Sequence, residues 1–148
     1  MHKLMLVGAA ALAATVAVAA DNVVQPLNVK PGLWQVTTTN TVQGMGSQTH
    51  TYKSCVKPED LHQYPFADRE NNCKYKVQSS TGSHMDVSGT CMPQEGGKAD
   101  FRIQLDAIDS ENVTGQGQLT LAGPAGNMHG DYSGKGKWLG TSCPAGMN

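Results

Sequence analysis

The chain has 148 residues, a net charge of −1 at pH 7, 39% hydrophobic and 16% charged residues. That length supports one domain with a modest core. The nearly neutral charge, without any basic run, speaks against a nucleic-acid partner.

The first residues read as an export leader. His2 and Lys3 give a short positive start, and Leu4 to Ala20 is apolar or small throughout. Ala17-Val18-Ala19 fits the small-x-small cleavage pattern, as does Val18-Ala19-Ala20 one residue later. As a membrane anchor the run is marginal, because it is short, rich in Ala and followed at once by Asp21, whereas a span needs about 20 strongly apolar residues. No Cys stands at the cleavage point to be acylated. The expectation is a cleavable bacterial signal peptide over residues 1–20, a single mature domain over residues 21–148, a periplasmic or secreted location, and no membrane-spanning segment after cleavage.

The mature chain has no long segment of 3.6-residue period. Alternating runs recur between clusters of Gly, Asn, Asp, Ser and Pro, which is the pattern of an all-β domain. Trp34, Val36, Thr38, Asn40 and Val42 alternate with polar neighbours before a Gly44-Met45-Gly46-Ser47 turn. The next run, Thr49 to Val56, has no clear inner face. Pro58-Glu59-Asp60-Leu61 then suits a short helix, since Pro fits the first helical position and acids fit the positive N-terminus.

Cys73, Tyr75 and Val77 share one face, and Met85, Val87, Gly89 and Cys91 share the next. A turn centred on Gly82 sets Cys73 directly opposite Cys91. Four cysteines in an exported chain read as two disulfides, with three connectivities open. The hairpin register selects Cys73–Cys91 and leaves Cys55–Cys143. Zinc is the alternative reading of the cysteines, but no CxxC or HxxxH spacing supports it.

Three further runs form a meander. Phe101, Ile103 and Leu105 face one way. After Asp109-Ser110-Glu111-Asn112 come Val113, Gly115, Gly117, Leu119 and Leu121 on one face. After Gly123-Pro124-Ala125-Gly126 come Met128, Gly130, Tyr132, Gly134, Gly136 and Trp138. Glycine packs nothing in a strand, so this inner face needs a cause. Either the sheet coils strongly, with rings lying over bare backbone, or a cavity needs the room. The expected fold is an antiparallel meander of about seven strands in a closed or half-open barrel, with Cys55–Cys143 closing the sheet end to end.

Three segments stand out together: Pro31-Gly32-Leu33-Trp34-Gln35-Val36, Cys55 with Pro58-Glu59-Asp60-Leu61 behind it, and Gly136-Lys137-Trp138-Leu139-Gly140-Thr141-Ser142-Cys143. This ordered set resembles the bacterial exported family DUF3617, in which a PGLW-type segment opens the domain and a GKWLG-x-x-C-type segment ends it. The four cysteines match in order. Gln35 stands where the family often has Glu, and Val56-Lys57 where it often has Leu-Thr. The resemblance implies a periplasmic or secreted setting and no particular activity.

No catalytic constellation emerges. There is no GxSxG, and a nucleophile needs a base and an orienting third group. His62 and Asp68 read as solvated loop residues. Asp106, Asp109, Glu111 and Asn112 offer oxygens for calcium, but not with EF-hand spacing, and hairpin turns use the same residues. His84-Met85, Met92 and Met128-His129 offer soft-metal ligands, yet strand alternation sends neighbours to opposite faces. Glu59, Asp60, Asp68 and Glu70 gather carboxylates in a helix start and a loop.

The chain therefore reads as a non-enzymatic binding or interaction module of the cell envelope, with no cofactor implied. Its expected partner is a small apolar ligand or an envelope protein. Trp34 and Trp138 read first as core anchors that plug the barrel, and otherwise as a ligand-stacking pair at its mouth; Trp34, Phe101, Tyr132 and Trp138 are the candidate pocket. The alternative is an envelope enzyme or metal protein using His62, His84 or His129.

Overall fold

The computed structural model describes residues 24–66, 72–92 and 97–147. The leader expected over residues 1–20 and the acids Asp68 and Glu70 lie outside the described residues. The described chain forms β1 (Gly32–Val42), β2 (Gly46–Val56), a 3-10 helix (Pro58–His62), β3 (Cys73–Ser80), β4 (His84–Cys91), β5 (Lys98–Ala107), β6 (Asn112–Gly123) and β7 (Gly126–Gly140). The short helix expected after Cys55 is thus only a 3-10 turn, fastened by the Asp60 carboxylate accepting the Lys57 amide at 3.0 Å.

All strands pair antiparallel in one sheet, in the order β2-β1-β7-β6-β5-β4-β3. β2 and β3 are its edges, so the sheet is half-open and not a closed barrel. Both disulfides have the expected partners. Cys73 and Cys91 stand directly opposite each other. Cys55–Cys143 does not close the sheet end to end, however. It joins β2 to the chain beyond β7, and β1 already pairs with both of those strands. The opening lies elsewhere, between β2 and β3.

The glycines of the inner face explain the coiling. A Cβ on Gly130 would lie 2.6 Å from the Thr41 carbonyl oxygen, and one on Gly117 would strike the Arg102 carbonyl. Bare backbone here lets adjacent strands wind tightly. Other glycines seat rings: Trp34 lies over Gly136, and Tyr75 lies over its cross-strand partner Gly89.

One end of the half-barrel is stoppered. Leu27 and Val29 enter the core with Trp34, Val36, Val56, Phe66, Met85, Val87 and Leu105. The amides of Leu27, Asn28 and Lys30 donate to the carbonyls of Leu61, Gly82 and Ser110 at 3.0, 2.8 and 2.9 Å. The segment before β1 is thereby stitched to the 3-10 turn, the β3–β4 turn and the β5–β6 turn. The described part of the chain after β2 sets Tyr64 and Phe66 into the core. Phe66 meets Trp34 edge-on at 5.3 Å.

Candidate functional site

Along β1 the inward side chains change character. Trp34 and Val36 face the stoppered end, and Thr38 and Asn40 face the other. The apolar core therefore stops partway up the half-barrel. Beyond it the concave face holds a cavity of about 660 Å³, within the range of small-molecule sites.

The sheet order gives this cavity two unlike walls. β1 and β2 supply Thr38, Asn40, Gln48, Thr49 and His50. β3, β4 and β5 supply Tyr75, Phe101, Ile103 and the Cys73–Cys91 bridge. Tyr52, Tyr64 and Tyr132 lie between them. Tyr64 comes from the link after β2 and reaches across the open seam to Tyr75, with ring centroids 4.6 Å apart. Tyr52 donates its hydroxyl to the Phe66 carbonyl at 2.8 Å, which fixes that link against β2. His50 stacks on Tyr52 at 5.6 Å.

The phenols of Tyr64 and Tyr132 lie close enough to influence one another. Burial, reinforced by the phenols of Tyr132 and Tyr52, holds Tyr64 well above the usual tyrosine value, and burial raises Tyr132 too. Neither ionises near neutral pH, so this pair offers hydrogen bonds and not a base. Across β1 and β7, Asn40 is the direct partner of Tyr132. The Asn40 Oδ1 is buried and has no hydrogen-bond partner, a costly condition for an amide oxygen.

Of the pocket residues expected from sequence, Phe101 and Tyr132 stand in this cavity. Trp34 and Trp138 stand at the stoppered end as cross-strand partners. Trp34 is fully buried and donates its Nε1 to the Lys30 carbonyl at 2.9 Å; Trp138 donates to the Pro31 carbonyl at 3.2 Å, under the Lys30 ammonium. Sequence reasoning missed Tyr52, Tyr64 and Tyr75. The signal present was their company: with Tyr132 they are all the tyrosines of the chain, and three of these four fall on strands with Tyr pointing inward.

The other candidate residues are engaged locally. Asp109 accepts the Glu111 amide at 2.8 Å and the Asn112 side-chain amide at 3.0 Å, and those bonds, the backbone one first, hold its carboxyl below the usual range. Glu111 pairs with Lys30, and Asp106 meets His84 at 2.7 Å. His129 bonds Thr120 at 3.2 Å. His62 lies 3.4 Å from the Val24 carbonyl. Among the described residues, no three His, Cys, Asp or Glu side chains converge as metal ligands. A second hollow, about 600 Å³, opens among polar residues including Arg102, Gln116 and Asp131.

The family model described as a protein of unknown function (DUF3617) matches residues 29–143. No curated protein and no solved structure matches the chain.

Proposed function

The chain belongs to the DUF3617 family, and from that premise we propose that it is an exported, non-enzymatic module of the cell envelope that binds a small ligand in the cavity at the open end of its half-barrel. The observation carrying this reading is the two-walled cavity itself, with polar side chains from β1 and β2 facing aromatic ones from β3 to β5. Such a wall combination fits an amphipathic molecule better than a wholly apolar one, because an apolar ligand would leave Thr38, Asn40 and Gln48 without partners. The apolar and small run from Leu4 to Ala20 supports export, and the paired cysteines suit an oxidising compartment.

The test uses purified mature protein and the neutral dye Nile red, with binding followed by dye fluorescence and thermal shift. Binding is expected, and Asn40→Trp, which fills the cavity, is expected to abolish it without lowering the melting temperature. Equal dye binding by the filled variant, or failure of the dye and of the ligands titrated below to bind at all, overturns the pocket. Export is checked by intact mass of protein recovered from the producing cells. The mature chain is expected to begin at Ala20 or Asp21, and an uncleaved chain overturns that part.

A further inference from the structure

Resting on the reading that the cavity is a ligand site, we infer the class of its ligand: an uncharged, hydroxyl-bearing ring compound, that is, a neutral saccharide. The described residues lining the cavity include no Lys, Arg, Asp or Glu. Among these described residues a ligand carrying a formal charge would find no counter-charge for the water it loses, which is unfavourable. The one imidazole there, His50, is stacked on Tyr52.

A hydrocarbon ligand meets the opposite difficulty. It would cover the side chains of Asn40, Gln48 and Thr38 and satisfy none of them. The Asn40 amide already has an unpartnered oxygen.

A saccharide ring meets both walls at once. Its hydroxyls lie around the rim and reach amide and hydroxyl partners, while its C–H faces are apolar and lie against aromatic rings, whose π-faces are negative. Phe101 supplies such a ring on one wall, and Asn40 and Gln48 supply amides on the other.

The experiment titrates the mature, disulfide-bonded protein with cellobiose and N-acetylglucosamine, with glucuronate and glucosamine as charged counterparts, and with Nile red. Binding is read by calorimetry and by shifts of the tyrosine ring signals. The neutral sugars are expected to bind, and the charged ones at least about tenfold more weakly. Asn40→Leu is expected to weaken the neutral sugars about tenfold, the value of one lost hydrogen bond, while leaving the melting temperature equal or higher. Gln48→Ala, at an exposed edge position, is a second variant that spares the fold. If Nile red binds and is displaced by Asn40→Trp while neither sugar binds, the saccharide class is wrong and the ligand site stands. If nothing binds, both fall. Sugar binding untouched by Asn40→Leu, Gln48→Ala and Phe101→Ala also overturns the assignment.

Discussion

Gly32 shows why the opening motif has the residues it has. Its φ of +135° lies where side chains are strained, and a Cβ there would come 2.9 Å from the Trp138 Nε1 and strike the Gly140 carbonyl. Glycine thus lets the chain turn into β1 beside Trp138 while both indoles reach the carbonyls of Lys30 and Pro31. Gly32→Ala is expected to cost about 1–3 kcal/mol, measured as a fall in urea midpoint. Gly140→Ala, which meets nothing within 4 Å, should stay within about 0.5 kcal/mol. Equal effects would refute this account of the motif. Tyr64 makes a second prediction at this scale. Its folded value is raised, so the unfolded chain ionises first, near pH 10. The stability it contributes is complete below that pH and is lost as pH rises through the folded value. Absorbance titration at 295 nm should show a late-titrating tyrosine, missing in Tyr64→Phe, and the variant's stability should fall less steeply above pH 10. If all tyrosines titrate together near 10, the buried phenol pair is refuted.

Among the strands, legibility tracked burial. β4 and β5, and the stretches of β6 and β7 that border the core, have one covered face, and their alternation is written plainly in the sequence. The β3–β4 register was equally legible: Cys73 opposite Cys91 follows from the turn, although the pairing slips at a bulge between Val77 and Ser79. β2 was obscure for a physical reason. It is an edge strand, exposed over most of its length. It is tied to β1 partly by a ladder of hydroxyl pairs, Thr37–Thr51, Thr39–Thr49 and Thr41–Ser47, at 3.2, 3.0 and 2.8 Å, and such a ladder leaves no hydrophobic period. The site was half legible. Phe101 and Tyr132 carry an inward strand parity, but Tyr64 sits on an irregular link whose path only the tertiary structure sets. The two bridges act on different elements and should differ in worth. Cys55 and Cys143 are 88 positions apart in sequence, and Cys73 and Cys91 are 18 apart. Loop-closure entropy then assigns about 4.6 and about 3.2 kcal/mol. Denaturant unfolding of Cys55→Ala/Cys143→Ala and Cys73→Ala/Cys91→Ala should rank in that order. The reverse order would mean that native packing around the edge hairpin outweighs the constraint on the unfolded chain.

For the molecule as a whole, the half-barrel has one closed end and one open end, and the closure is supplied by chain outside the sheet. Leu27 is 1% exposed and Val29 6%, and their segment is hydrogen-bonded to the 3-10 turn and to two hairpin turns. Without that stopper the floor beneath Trp34 and Phe66 would be wet. Nothing in the alternation of the sequence marks these residues, because Leu27 and Val29 belong to no strand of the sheet and their partners are distant turns. A chain starting at Pro31 loses the burial of both side chains, worth about 3–6 kcal/mol together. A chain starting at Gln25 keeps the whole stopper. Guanidinium denaturation should therefore separate the two by that amount, with the Gln25 start matching the chain from Asp21. Equal stability of all three would show that the sheet holds its floor without the stopper. The same comparison bears on binding, because the cavity lies on the far side of the Trp34–Phe66 layer from the removed segment. A Pro31 start that stays folded but loses affinity for Nile red would show that the stopper sets the shape of the cavity as well as the stability of the fold.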